Sequence, residues 1–162
     1  MRVAAIVICL ACAAACSAPQ APQATPAPTP PPAANPNPEH INLVEPWPYP
    51  FSSAVKVGNL IYVSGQIGSR VENGAPVLVK GGIEAESRQA LDNIKGILEH
   101  AGTSMDRVVK CTVMLTDMKE WPKLNEIYAT YFPGPKPARA AFGATALALN
   151  ARVEIDCIAA AK

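Results

Sequence analysis

Apolar and polar positions alternate at changing periods along this chain of 162 residues. Ala54-Val55-Lys56-Val57 and Leu60-Ile61-Tyr62-Val63-Ser64 are two strand-like runs about Gly58-Asn59, the pattern of a tight hairpin. Pro76-Val77-Leu78-Val79 predicts a third, short strand. From Ile83 to His100, and on into Ala101, the apolar residues Leu91, Ile94, Leu98 and Ala101 recur at spacings of three and four, which predicts a helix with one apolar face. Glu84 and Glu86 suit its first turn, and Ala101-Gly102 supplies the stop. Val108 to Thr116 alternates in part and puts Val109, Cys111, Val113 and Leu115 on one face of a strand. Trp121-Pro122 opens a second helix carrying Leu124, Ile127, Tyr128 and Tyr131, and the last strands are expected over Arg139 to Ala146 and Arg152 to Ala160. The order βββαβαββ describes an α+β sandwich, one sheet with both helices on one face. Tyr62 and the alternating partners of Val109 make the other face too apolar for water, so self-association is expected.

The pattern breaks down before Phe51. Met1-Arg2 followed by the apolar run Val3 to Ala15 is a signal-like segment too short to span a bilayer as a mature helix. It ends in Ala13-Ala14-Ala15-Cys16, small residues ahead of a cysteine, as in the lipobox of bacterial lipoproteins; lipidation of Cys16 is expected. Cys12, or a plain secretory signal cleaved after an Ala-x-Ala motif, are the alternatives. Residues 17–50 hold twelve of the seventeen prolines and almost no charge or large aliphatic residue before Ile41. They read as a disordered or polyproline-like tether, reaching ~100 Å at ~3.1 Å per residue. The domains expected are therefore a signal at 1–16, a linker at 17–50 and one folded domain at 51–162. The chain is expected to be exported, as a periplasmic or cell-envelope lipoprotein of a bacterium, touching membrane only through its N-terminal lipid.

Charge and cysteine usage narrow the partners. Loss of Arg2 leaves 13 basic residues against 13 acidic ones, so no electrostatic footprint for nucleic acid is present. Cys111 and Cys157 lie inside apolar strands, where buried free thiols are the ordinary finding and a disulfide is the alternative that an oxidising compartment allows. There is no Cys-x-x-Cys, His40 falls in the tail and His100 far from it, so no metal site is expected.

The segment Pro135-Lys136-Pro137-Ala138-Arg139 carries the sharpest candidate chemistry. Two prolines stiffen the lead into a strand, and a guanidinium at a rigid strand end suits a bidentate grip on a small carboxylate. Taken alone, a surface arginine beside a loop is the ordinary reading.

Four blocks together go further: Gly58-Asn59-Leu60-Ile61-Tyr62-Val63-Ser64-Gly65-Gln66-Ile67, Gln89-Ala90-Leu91-Asp92-Asn93-Ile94, Val109-Lys110-Cys111-Thr112-Val113 and Pro137-Ala138-Arg139. From about Phe51 onward the chain resembles the RidA (YjgF, L-PSP) family of enamine/imine deaminases. The resemblance implies a chorismate-mutase-like α+β homotrimer with a cleft at each subunit boundary, and cofactor-free hydrolysis of 2-imino acids to 2-oxo acids and ammonia. It places Arg139 as the carboxylate holder, with Ser64 and Asn125 lining the cleft. Phe51 stands where the best-known deaminases have a tyrosine, Ala140 and Ala141 replace a Ser-Cys pair, and the backbone of Ala141 is expected at the water. Asp156 stands where many members have a water-holding glutamate. Its shorter reach matters, since ~1 Å of misplacement can cost ~10²-fold in rate. A membrane-tethered trimer that binds small carboxylates without turnover is the competing function, and the endoribonuclease activity known among relatives is disfavoured by the neutral charge.

Overall fold

The computed structural model describes residues 37–44 and 48–162. Cys16, the run read as a signal and most of the proline-rich run lie outside the described residues.

The first strand, β1 (Glu39–Ile41), lies within the run read as linker. It pairs antiparallel with β2 (Ala54–Val57), Ile41 opposite Ala54, so the folded part begins upstream of Phe51. Flanking prolines hid it: Glu39-His40-Ile41 is a proline-free stretch whose ladder partner lies about a dozen residues on. His40, read as part of the tail, consequently shares a cavity of about 310 Å³ with His100 beside β1.

β2 turns through Gly58-Asn59 into β3 (Leu60–Ile67) with Val57 opposite Leu60, and Gly58 takes the positive φ of 58° such a turn demands. β4 (Ser69–Glu72) and β5 (Ala75–Leu78) form a separate two-stranded ribbon about Asn73-Gly74, both at positive φ. Only the second of these strands was expected, because the first, Ser69-Arg70-Val71-Glu72, carries a single apolar residue, although Asn-Gly is by itself a strong turn signal.

Helix α1 (Gly82–His100) buries Leu91, Ile94, Ile97 and Leu98, and Gly102 at φ 78° follows its end. β6 (Val108–Leu115), α2 (Trp121–Tyr131) and β7 (Ala138–Gly143) form a parallel crossover, and the last strand β8 (Val153–Ala160) returns to the sheet interior. The main sheet runs β1-β2-β3-β8-β6-β7. Both helices lie on one face: Ile61, Val63, Cys111, Val113, Ile155 and Cys157 meet Leu91, Ile94, Leu124 and Ile127 in a single core. Burying each such aliphatic side chain contributes roughly 1.5–3 kcal/mol.

Two expectations in this core change. The register slips between Val108 and Lys110, so Val108 is buried while Val109 stands 46 % exposed instead of joining Cys111 on the core face. Cys111 and Cys157 are direct partners across β6 and β8, 4.1 Å apart at Cα, and form a disulfide rather than remaining free thiols. The opposite face of the sheet carries Tyr62 and Phe142, both about half exposed.

Candidate active site

Arg139 sits near the start of β7, the edge strand, opposite Cys111 of β6. Partners in register share a sheet face, so its side chain emerges on the helix side. There it meets α2. A terminal N–H of Arg139 donates to Asn125 Oδ1 at 2.7 Å, and its guanidinium carbon stands 4.7 Å from the centre of the Tyr128 ring. Asn125 Oδ1 also accepts the indole N–H of Trp121 at 3.0 Å. Trp121, Asn125 and Tyr128 follow at spacings of four and three, the geometry of one helix face. Ala141 lies two residues beyond Arg139 on the same side of the strand, opposite Val113.

The carboxylates lie elsewhere. Asp156 pairs with Thr112 and neighbours Cys157 along β8, so it faces the open side of the sheet. Glu154, two residues earlier, shares that side. A side chain at Gly65 would run into the Glu154 carboxylate, so the glycine of Ser64-Gly65-Gln66 leaves the space that the acid occupies. Burial, and then the charge of Asp156, hold the Glu154 carboxyl above its ordinary pKa. Glu154 was not singled out from the sequence, although the alternation Val153-Glu154-Ile155-Asp156 already puts both acids on one strand face.

Ser64 lies at an irregularity between Val63 and Gln66 on β3. Its N–H donates to the Ser53 carbonyl at 3.1 Å and its hydroxyl to the Ser52 carbonyl at 2.7 Å. With its proton engaged, the Ser64 oxygen is oriented to accept. Phe51 directly precedes this anchor, half exposed, and stacks on Tyr49 with ring centres 5.6 Å apart. The structure thus gathers the candidate residues into two groups. Arg139, Asn125 and Ala141 stand at the β7 edge on the helix side; Glu154 and Asp156 lie on the open face, with Gly65 of the Ser64 segment packed against Glu154. Within one chain Arg139 and Asp156 face opposite sides of the sheet.

A family model described as Endoribonuclease L-PSP matches residues 45–161. The chain belongs to this RidA/YjgF/L-PSP family. A mouse protein named 2-iminobutanoate/2-iminopropanoate deaminase is 49 % identical over 110 residues, 68 % of this chain and 80 % of its own length. Among solved structures, yeast Mmf1 superposes with a TM-score of 0.71 at 35 % identity, covering 78 % of this chain and all of its own. RidA from an Antarctic Psychrobacter gives 0.64 at 40 % identity, over 70 % of this chain and 90 % of its own. The α+β architecture, one main sheet with two helices on one face, is that of the RidA fold.

Proposed function

We propose that this RidA-family domain is a cofactor-independent deaminase that hydrolyses 2-imino acids to 2-oxo acids and ammonia, in clefts between the subunits of a homotrimer. The supporting observation is the split of its site. Arg139 waits at a sheet edge, held by Asn125, and the carboxylates that suit water activation lie on the opposite face. A second copy laid edge over face joins the halves.

In the cleft, the Arg139 fork grips the substrate carboxylate and fixes the imine carbon. Water adds through its oxygen to that carbon. Glu154, beside Asp156, takes the water proton and returns one to nitrogen. The proton left on the adduct's hydroxyl then passes to nitrogen through the same carboxylate as the C–N bond breaks, so the carbonyl forms and ammonia leaves. Glu154 suits this exchange because burial raises its pKa, so it takes up a proton more readily than an ordinary carboxylate, and Gly65 gives it room. Phe51 forms an apolar wall, and the Ser64 oxygen accepts from the substrate nitrogen. The test is ammonia release from imines made in situ by an amino-acid oxidase from Ala, Leu, Met and Phe. The wild type should release ammonia faster than the uncatalysed rate and Arg139→Ala should not. No acceleration with any imine would favour the carboxylate-binding module instead.

We also propose that the domain is exported and tethered by a lipid on Cys16. The Cys111–Cys157 disulfide supports it, since such bonds persist in oxidising compartments. Labelling with a fatty acid in growing cells should mark the wild type and spare Cys16→Ala; equal labelling of both would overturn this and point to Cys12, and labelling of neither to plain secretion.

A further inference from the structure

The side chain of Arg139 is long and flexible, yet its guanidinium is fixed from two directions. Asn125 takes one N–H from the side, and the Tyr128 ring lies under the guanidinium carbon. Asn125 is itself fixed, because its amide oxygen also takes the Trp121 indole N–H. Tyr128 is fixed by burial, only 6 % exposed, and by a tilted contact with Phe132 at 4.7 Å between ring centres. Its hydroxyl is buried and finds no hydrogen-bond partner among the described residues. Burial pushes the Tyr128 pKa up to about 12, so the ring remains neutral and keeps its electron-rich face. A buried hydroxyl without a partner is a cost to folding, so what Tyr128 contributes here comes through its ring.

We propose that Tyr128 is a positioning residue for the carboxylate grip, forming with Asn125 and Trp121 a cradle that sets the plane and height of the Arg139 guanidinium. The inference rests on the proposed role of Arg139 as carboxylate holder. A cation over an aromatic face is attracted by the ring quadrupole, and restraining the fork before substrate arrives removes an entropy loss from binding. One guanidinium edge is engaged by Asn125, so the other N–H groups are left to the ligand.

The test uses the full-length assembled protein, with 2-oxobutanoate as the calorimetric probe and the Nε–H resonance of Arg139 as a ligand-free probe. Tyr128→Phe keeps the ring and should hold Kd within about twofold of wild type. Tyr128→Leu should weaken binding about five- to tenfold and raise KM for imino acids more than it lowers kcat. It should also shift the Arg139 resonance by removing the ring above which it lies, as Tyr128→Phe should not. In an Arg139→Ala background, Tyr128→Leu should have no further effect on binding. Tyr128→Met replaces Tyr128→Leu should the latter fail to fold. An unmoved resonance in Tyr128→Leu overturns the cradle, as does equal weakening by Phe and Leu, or a loss that persists without Arg139. Should 2-oxobutanoate bind no variant, the wild type included, the carboxylate-holder reading fails, and the resonance alone decides the cradle.

Discussion

Glu154 and Asp156 share one strand face two residues apart, and the first is partly withdrawn from water. A carboxyl whose pKa is raised in the folded state binds its proton more tightly there than in the unfolded chain. Its ionisation therefore opposes folding: the penalty is absent at low pH, where both states are protonated, and complete above the folded pKa. Glu154→Gln removes that penalty. The variant should melt higher than wild type at about pH 7.5, with the gap closing as pH falls toward about 4, the ordinary carboxyl range. Thermal melts by circular dichroism across that range check the sign. A variant less stable at every pH would show that the carboxylate makes a favourable bond that outweighs its desolvation. The same substitution should slow ammonia release while leaving 2-oxo acid binding near wild type, because Arg139 still holds the carboxylate.

Among the elements, the central strands β6 and β8 are joined twice, by the antiparallel ladder and by the Cys111–Cys157 bond. The chain-entropy model gives a cross-link at a separation of 46 residues about 4 kcal/mol. Replacing both cysteines by alanine should lower Tm by about 15 °C for a domain of this size. Both residues are essentially inaccessible, so dithiothreitol without denaturant should leave the bond intact. A midpoint unchanged in the double variant would mean that strain offsets the cross-link. Such elements also mark what the sequence could disclose. The β2–β3 hairpin, α1 and α2 were legible because each rests on local periodicity and local turn or cap residues. The pairing of Cys111 with Cys157 was not, because it follows from β8 entering the sheet between β3 and β6, which no local pattern encodes. Strand β1 exists only through its ladder with β2, and the slip at Val109 depends on the register against β8. Arg139 stood out through its proline-stiffened approach and family motif. Glu154 escaped notice because alternation marks a face without saying what the face will meet.

At the scale of the molecule, folding one chain leaves Arg139 and the candidate carboxylates on opposite faces of the sheet. Arg139 lies at the β7 edge on the helix side and Glu154 in the middle of the open face. The open face exposes Tyr62 and Phe142, apolar surface that a second copy would cover. If the β7 edge of each copy meets the open face of the next, the arrangement closes as a ring, and the family's trimer supplies three equivalent clefts. Light scattering should then give three times the chain mass, and two impaired variants should repair one another. Arg139→Ala keeps a sound carboxylate face, and Glu154→Gln keeps a sound arginine edge. In trimers assembled from an equal mixture, roughly a quarter of the clefts pair the intact edge with the intact face, so activity should recover to about a quarter of wild type. Mixing already assembled trimers should restore nothing until subunits exchange. A random mixture that stays inactive while forming full trimers would place Arg139 and Glu154 of each working site in the same chain, and the edge-over-face assembly would have to be abandoned.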